Sequence, residues 1–158
     1  GAWDKLLKLL ELPVKLAEEK NINLVLETGN NAMVPSAWLG KKLIDDIGSD
    51  RLRILWDPAN SLYANEPTYP DGWEALKDGY IGHFHIKDAK VNMPHAHVEF
   101  CEMGKGDMAP YLDPLANEMK LNNYNGYISL ESVYRPDGGS FEDGYRASLP
   151  KFKELFDW

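Results

Sequence analysis

Short apolar runs alternate with longer segments of helical spacing along most of the chain. The runs lie at residues 22–27, 52–57, 80–88 and 126–131, and each has the length of a buried strand. After each run comes a polar loop, and then a segment whose apolar residues recur every three or four positions, as on one face of a helix. Strands that alternate with helices predict βαβ units and a parallel sheet that is buried on both faces.

The predicted helices have recognisable limits. The first begins near Ser36, a residue type favoured just before the first helical turn, and ends at Gly48. Its apolar face is predicted to contain Trp38, Leu39, Leu43, Ile44 and Ile47. Further helices are expected at 72–79, 108–123 and 140–156.

The remaining segments have less regular patterns of apolar residues, and their predicted structures are as follows. Residues 3–21 have helical spacing, and Pro13 is expected to kink or restart that helix. A long loop rich in Pro, Asn and Tyr is expected after the second run, and another loop from the third run to about Gly106. Neither a linker nor a low-complexity stretch divides the sequence, so residues 1–158 are predicted to form a single domain.

Composition narrows the class of protein. The chain has 17 Lys and Arg against 25 Asp and Glu, a formal net charge of −8, which argues against nucleic acid or an anionic membrane as its partner. Its single cysteine, Cys101, excludes a disulfide framework within the chain and favours the cytoplasm. The sequence contains neither an apolar run of membrane-spanning length nor the pattern of a signal peptide.

Each of the four apolar runs carries, at or near its carboxyl end, a residue that can bind a cation. These residues are Glu27, Asp57, His85 and Glu131. In α/β folds the ligand site lies beyond the carboxyl ends of the strands. Any one of the four could be a helix cap or a solvated strand end, but three acids on one rim repel one another unless a cation lies between them. This set of ligands suits Mn²⁺, Mg²⁺, Co²⁺ or Zn²⁺.

The third run carries two histidines one residue apart. Side chains at i and i+2 of a strand point to the same face, so His83, His85 and Lys87 are predicted to share one inward face, with Asp88 beside them. A strand end that arrives at a polar site explains this pattern. A pair of hydrogen-bonded core histidines explains the two imidazoles equally well.

Five short motifs resemble those of the sugar (phosphate) isomerases and epimerases with the xylose-isomerase-like (β/α)₈ barrel. They are LVLETGN, LRILWDPAN, GHFHIKDA, GKGDM and GYISLES, the last followed by YRASLPKFKEL. The resemblance covers nearly the whole chain but only strands five to eight of the barrel, its C-terminal half. It therefore implies a TIM barrel whose other half comes from a missing N-terminal segment or from a second copy of the chain, because open barrel edges would be left exposed.

The resemblance also implies roles for the residues at the strand ends. In this family a divalent metal is held by residues that match Glu27, Asp57, His85 and Glu131. The two glutamates also act as acid and base, moving a proton next to a carbonyl through an enediolate. The implied function is a metal-dependent sugar or sugar-phosphate isomerase or epimerase. The alternatives are a dehydratase or lyase of the same fold that acts on an inositol-type ketone, and a non-catalytic sugar-binding relative.

Two departures affect the expected substrate contacts. Where epimerases of this group commonly have a second histidine the chain has Asn60, and where they often have an arginine it has Val91. The residues expected to contact the substrate are therefore Asn60, Lys87, Arg135 and His83, with Asn30 or Asn31 as further candidates.

Endonuclease IV, a DNA-repair relative with three zinc ions, is a further alternative. Its additional Asp-x-His pair would fall on Val98 and Phe100, although His95 and His97 stand nearby. This mismatch and the acidic net charge argue against a nuclease.

Overall fold

The computed structural model describes residues 1–157, in which helices and strands alternate as the sequence predicts. In chain order the elements are α1 (Ala2–Lys20), β1 (Leu24–Glu27), α2 (Ala37–Ile47), β2 (Leu52–Trp56), α3 (Pro58–Tyr63), α4 (Trp73–Leu76), β3 (Ile81–Ile86), β4 (Asp88–Asn92), β5 (His97–Cys101), α5 (Ala109–Leu121), β6 (Tyr127–Leu130) and α6 (Phe141–Phe156). A π-helical turn (Thr68–Gly72) precedes α4, and a 3₁₀ turn (Met93–His95) joins β4 to β5.

Four strands form one parallel sheet in the order β1-β2-β3-β6. All four predicted strands are present in it. One face of the sheet packs against the helices, where Trp56, Phe84 and Ile86 are fully buried in the apolar core. The other face carries polar side chains at the ends of the strands. The prediction of a parallel α/β architecture is confirmed, and the sheet is half of a barrel.

Helix limits agree closely with the sequence prediction. The Ser36 side chain accepts a hydrogen bond from the Leu39 N–H at the start of α2, and Gly48 ends that helix in a left-handed conformation. Ser140 begins α6 with a reciprocal cap to Asp143. Residues 3–21 differ from expectation, because α1 continues through Pro13 without interruption.

Three further expectations are wrong. The segment after the third run is not a loop but the antiparallel hairpin β4–β5, in which Asp88 pairs with Cys101 and Asn92 with His97. Part of the loop after the second run is helix α3. Trp38 is 61% exposed, because α2 buries instead its small and aliphatic residues, Ala37, Gly40, Leu43 and Ile44.

A β-bulge in β3 decides which side chains face the polar side of the sheet. Ile81 pairs with Ile54 and His83 with Leu55, so Gly82 is an extra residue on β3. Ile81 packs against the core, and strict alternation would place His83 on that side too. The bulge reverses the alternation. A Cβ on Gly82 would lie 2.8 Å from Val25 Cγ1 and 2.9 Å from Arg53 Cβ, so any larger residue would force these neighbouring side chains to shift.

The hairpin and the following turn are held by one carboxylate, that of Asp88. It accepts hydrogen bonds from the backbone N–H groups of Ala89 (2.8 Å), Gly104 (2.8 Å), Gly106 (2.9 Å) and Met108 (3.0 Å). The sequence GKGD, residues 104–107, thus turns the chain into α5 by wrapping around a buried acid.

We expect Asp88→Ala to lower the free energy of unfolding by about 3 kcal/mol or more, because several buried N–H donors lose a charged acceptor at once. Urea denaturation followed by circular dichroism measures this change. Asp137→Ala, at an exposed position in the loop before α6, is the matched control and should be nearly neutral. Equal stability of the two variants would show that the Asp88 contacts do not hold the turn.

Candidate active site

The carboxyl ends of the four parallel strands bring together the side chains of Glu27, Asp57, His85 and Glu131. Each offers one ligand atom, and these atoms all lie within 4.8 Å of one another. The four residues come from four different strands that span more than 100 positions of sequence. Their convergence follows from the parallel sheet, which places every carboxyl end at one rim.

His85 lies between the two glutamates. Its Nδ1 is 3.3 Å from Glu27 Oε1 and 3.9 Å from Glu131 Oε1. Glu27 is the last residue of β1 and Glu131 follows β6, and these are the two outer strands of the sheet. Strands at opposite edges can bring their ends this close only if the sheet is strongly curved, as in a barrel. The glutamates are therefore on opposite sides of one small space.

Asp57 occupies the floor of this space and has no exposed surface. Its Oδ1 accepts a hydrogen bond from the Ala59 N–H (3.0 Å) and so caps α3, while its own N–H donates to Thr28 Oγ1 (3.1 Å). Its Oδ2 is buried and forms an ion pair with Lys87 Nζ at 2.5 Å.

Lys87 links two of the acids. Besides the contact with Asp57, its Nζ donates a hydrogen bond to Glu131 Oε2 at 2.7 Å. Burial raises the pKa of Asp57, with the Lys87 ammonium opposing that rise. Burial also acts to raise the pKa of Glu131, but the hydrogen bond and charge of Lys87 outweigh it, and the pKa is lowered. Burial acts to lower the pKa of Lys87, and the charges of the two acids bring it above its ordinary value.

The residues at this rim fit a divalent metal ion. Three carboxylates and one imidazole match the preferences of Mn²⁺, Mg²⁺, Co²⁺ and Zn²⁺ for oxygen and nitrogen ligands. The ligand atoms of the four residues lie within 4.8 Å of one another, and the three carboxylates carry more negative charge than the single ammonium of Lys87 can balance. That these four residues hold a metal ion stays a prediction.

The structure separates His83 from this cluster. Its Nε2 lies 2.7 Å from Ser129 Oγ, and its ring contacts that of His85 edge-on, with centroids 5.2 Å apart. His83 lies one pleat deeper than His85 on the same face, where burial lowers its pKa and the charge of His85 adds to this effect.

The other expected substrate contacts are dispersed. Asn60 is buried, and its Nδ2 donates to the Thr28 carbonyl oxygen at 2.7 Å. Arg135 is exposed, with its guanidinium 5.5 Å above the ring of Phe141. Asn30 and Asn31 are exposed in the loop after β1. Their roles in binding stay predictions.

Two residues near the acids were missed as site residues by sequence reasoning. Thr28 holds Asp57 through its side chain, and Tyr63 has a buried hydroxyl without a hydrogen bond. Burial raises the pKa of Tyr63, and the charges of Lys87 and Asp57 also act on it. The pair Asp57-Pro58 is a typical helix start and could have indicated α3, which carries Tyr63.

The comparisons with known proteins agree with this fold. Residues 1–155 match the family model described as the xylose isomerase-like TIM barrel, so the chain belongs to this family. No sequence among the curated proteins matches it.

Several solved structures are similar to the chain. One is the 3-keto-D-glucoside 4-epimerase YcjR of E. coli, with a TM-score of 0.69 and 18% identity, covering 96% of this chain and 53% of that one. Another is the probable 3-DHS dehydratase AsbF of Bacillus anthracis, with a TM-score of 0.72 and 15% identity. The match covers 93% of this chain and 55% of that one. A third is the IOLI protein with a bound zinc atom, with a TM-score of 0.70 and 17% identity. The match covers 97% of this chain and 54% of that one.

At these identities the similarity shows a shared fold. The chain spans about half the length of the solved structures it matches. None of the helices described in residues 1–157 is long and apolar enough to cross a membrane.

Proposed function

We propose that the protein is a divalent-metal-dependent isomerase or epimerase of a sugar or sugar phosphate, acting by proton transfer next to a carbonyl through an enediolate. One observation carries this proposal: two glutamates face each other across His85 at the rim of the sheet, within reach of one another and of Asp57. This arrangement has a carboxylate on each side of the space where a substrate carbon would lie.

The three acids differ in solvent exposure, and this difference indicates which of them can contact a substrate. Glu27 is 42% exposed and Glu131 33% exposed, so both can touch a substrate. Asp57 has no exposed surface and can only support the site from below. One glutamate takes the proton next to the carbonyl and the other returns a proton. Return to the opposite face of the same carbon inverts it, and return to the neighbouring carbon gives isomerisation.

The ligands for the ion would be Glu27, Asp57, His85 and Glu131. A bound divalent ion would act as a Lewis acid that makes the hydrogen next to the carbonyl more acidic. Lys87 keeps Asp57 and Glu131 in place through its two contacts. The β4–β5 hairpin follows the end of β3 directly, and the Phe100 ring on it lies 5.8 Å from Lys87 Nζ. The hairpin therefore forms one wall of the rim.

Solvent-deuterium exchange tests this proposal. The purified protein is incubated with Mn²⁺ and a panel of ketoses and ketose phosphates in D₂O, and the sugars are analysed by NMR. We expect deuterium at the carbon next to the carbonyl of one sugar, together with an epimer or isomer of it. An elimination product would indicate a dehydratase instead, and tight binding without exchange would indicate a non-catalytic sugar-binding protein.

We also propose that residues 1–158 belong to a single barrel domain that four further strands complete. Strands β1 and β6 are the edges of the sheet, and the edge residues Val25 and Tyr127 are 43% and 78% exposed. Unpaired edges of this kind favour association. The other half comes from a preceding segment of a longer polypeptide or from a second copy of the chain.

We expect the 158-residue chain alone to form dimers or larger species. Size-exclusion chromatography with light scattering measures its mass in solution. Co-expression with a separate N-terminal half-barrel of a homologous protein provides the comparison, since pairing with that half should suppress self-association. A stable, monodisperse monomer would contradict this proposal.

A further inference from the structure

The Lys87 side chain lies within the acidic cluster. Its Nζ is 2.5 Å from Asp57 Oδ2 and 2.7 Å from Glu131 Oε2, and the side chain is only 8% exposed. A lysine buried to this extent needs opposite charges around it. Here both of those charges belong to candidate metal ligands, so the ammonium and a metal ion would use the same two side chains.

The contacts of the two Asp57 oxygens show which atom Lys87 and a metal ion would both need. Oδ1 accepts the Ala59 N–H and caps α3, which leaves Oδ2 as the oxygen for any further partner. Lys87 Nζ already lies 2.5 Å from this atom. An ion that takes a ligand from Asp57 must therefore share Oδ2 with the ammonium or displace it.

Glu131 divides its oxygens differently. Oε2 accepts the hydrogen bond from Lys87, and Oε1 lies 3.9 Å from His85 Nδ1. This carboxylate can hold the lysine and still offer an oxygen toward His85. Lys87 and a metal ion would therefore compete directly for one oxygen at Asp57. At Glu131 they would bind different oxygens of the same carboxylate, and the ammonium would draw electron density away from the oxygen that binds the ion.

The charges of the cluster bear on the strength of this competition. With ionised carboxylates, the three acids carry three negative charges, and the Lys87 ammonium reduces the sum to two, which weakens the attraction of the site for a divalent cation. Two cationic groups that share the same carboxylates also repel each other strongly at this range, because the site is partly shielded from water.

We propose that Lys87 is an internal counter-ion of the rim that competes with the divalent cation for Asp57 and Glu131, and so limits how tightly the site holds that cation. This inference rests on the metal site of the proposed function. Lys87 is a positioning residue in this role: it acts through the two carboxylates. It stabilises the acids when the cation has been removed and weakens the hold of the site on the cation when it is present.

The test compares Lys87→Met with Lys90→Met. Methionine keeps most of the length of the side chain and removes its charge. Lys90 is exposed on β4, three positions from Lys87, so its replacement makes the same change in net charge outside the cluster. The protein is stripped of metal with EDTA, dialysed and titrated with Mn²⁺ by isothermal calorimetry. We expect Lys87→Met to bind Mn²⁺ about tenfold more tightly than the wild type, and Lys90→Met to bind it as the wild type does.

Thermal unfolding provides the second measurement. Stripped Lys87→Met should melt about 5 °C lower than the stripped wild type, because buried acids lose their counter-ion. Saturating Mn²⁺ should remove most of that difference. Lys87→Gln, which is neutral and can still donate a hydrogen bond, should shift the Mn²⁺ affinity in the same direction and replaces Lys87→Met if that variant does not fold.

The outcomes are distinguishable. Unchanged or weaker Mn²⁺ binding by the neutral variants overturns the competition, even if their melting temperatures fall, because a merely structural lysine would lower stability without tightening the site. If neither the wild type nor the variants bind Mn²⁺ or Zn²⁺, the proposed metal-dependent function fails as well.

Discussion

Replacing His85 with alanine should weaken the binding of a divalent metal ion by more than about 100-fold, since loss of even an outer hydrogen-bond partner of a ligand weakens binding about 10- to 100-fold. His85 contributes the one imidazole among the four ligand atoms and lies between Glu27 and Glu131. Without it, two acids face each other with no nitrogen ligand between them. Metal analysis after dialysis, paired with Mn²⁺ titration, measures the loss.

The chain offers a closely matched control, His83→Ala. His83 is the same residue type on the same strand and the same face, but its Nε2 lies against Ser129 Oγ. We expect this variant to retain the metal. A second variant, Asp57→Asn, keeps the oxygen that caps α3 and replaces Oδ2, the oxygen left for a cation, with an NH₂ group that cannot bind one, so it should also lose metal. Normal metal content in both His85→Ala and Asp57→Asn would show that the cluster is not a metal site.

Much of the fold can be predicted because strands and helices leave different periods in the sequence. The four apolar runs are long enough to mark buried strands, and caps such as Ser36 and Gly48 mark the ends of α2. The rim follows from topology alone, since parallel strands all end at the same edge. The residues that end those runs can therefore be grouped at one site from their positions in the sequence.

The hairpin and the bulge could not be predicted in this way. Strands β4 and β5 mix buried with exposed positions and carry polar residues at about half of them, so they lack the apolar run that marks a buried strand. The bulge depends on one glycine, Gly82, whose need for close approach to Val25 comes from a strand more than 50 positions away. Alternation predicts that His83 and His85 share one face, but alternation from Ile81 would make that face the core side. The bulge at Gly82 is the physical reason that Ile81 packs against the core while both histidines face the polar side.

The contacts of Lys87 were also beyond sequence reasoning. The strand pattern places Lys87 on the inward face and suggests a contact with substrate. The structure instead directs its ammonium to Asp57 and Glu131, from strands on either side of β3. Pairings between side chains on different strands depend on register and curvature, neither of which is encoded locally.

The proposed chemistry depends on the two glutamates, and the variants Glu27→Gln and Glu131→Gln test it. Glutamine has nearly the size of glutamate and keeps one carbonyl oxygen as a ligand, but it cannot accept a proton as a carboxylate does. We expect each variant to keep bound metal and to lose solvent-deuterium exchange into the substrate by about 10²- to 10⁴-fold, the usual contribution of a general acid or base. The measurement is NMR of the sugar in D₂O, at a Mn²⁺ concentration that metal analysis shows to be saturating.

Glu99→Gln is the matched control, because Glu99 is exposed on β5 of the hairpin, outside the cluster of four ligands. Neighbouring side chains on a strand point to opposite faces, so Glu99 lies on the face of β5 away from that of Phe100 and Lys87. The exchange catalysed by this variant should therefore equal that of the wild type. Glu27 and Glu131 differ in that only Glu131 contacts Lys87, yet a mechanism with a base on each side of the substrate requires both. If either glutamine variant keeps its metal and near-normal exchange, that glutamate only supports the site and a water molecule must move the proton on that side.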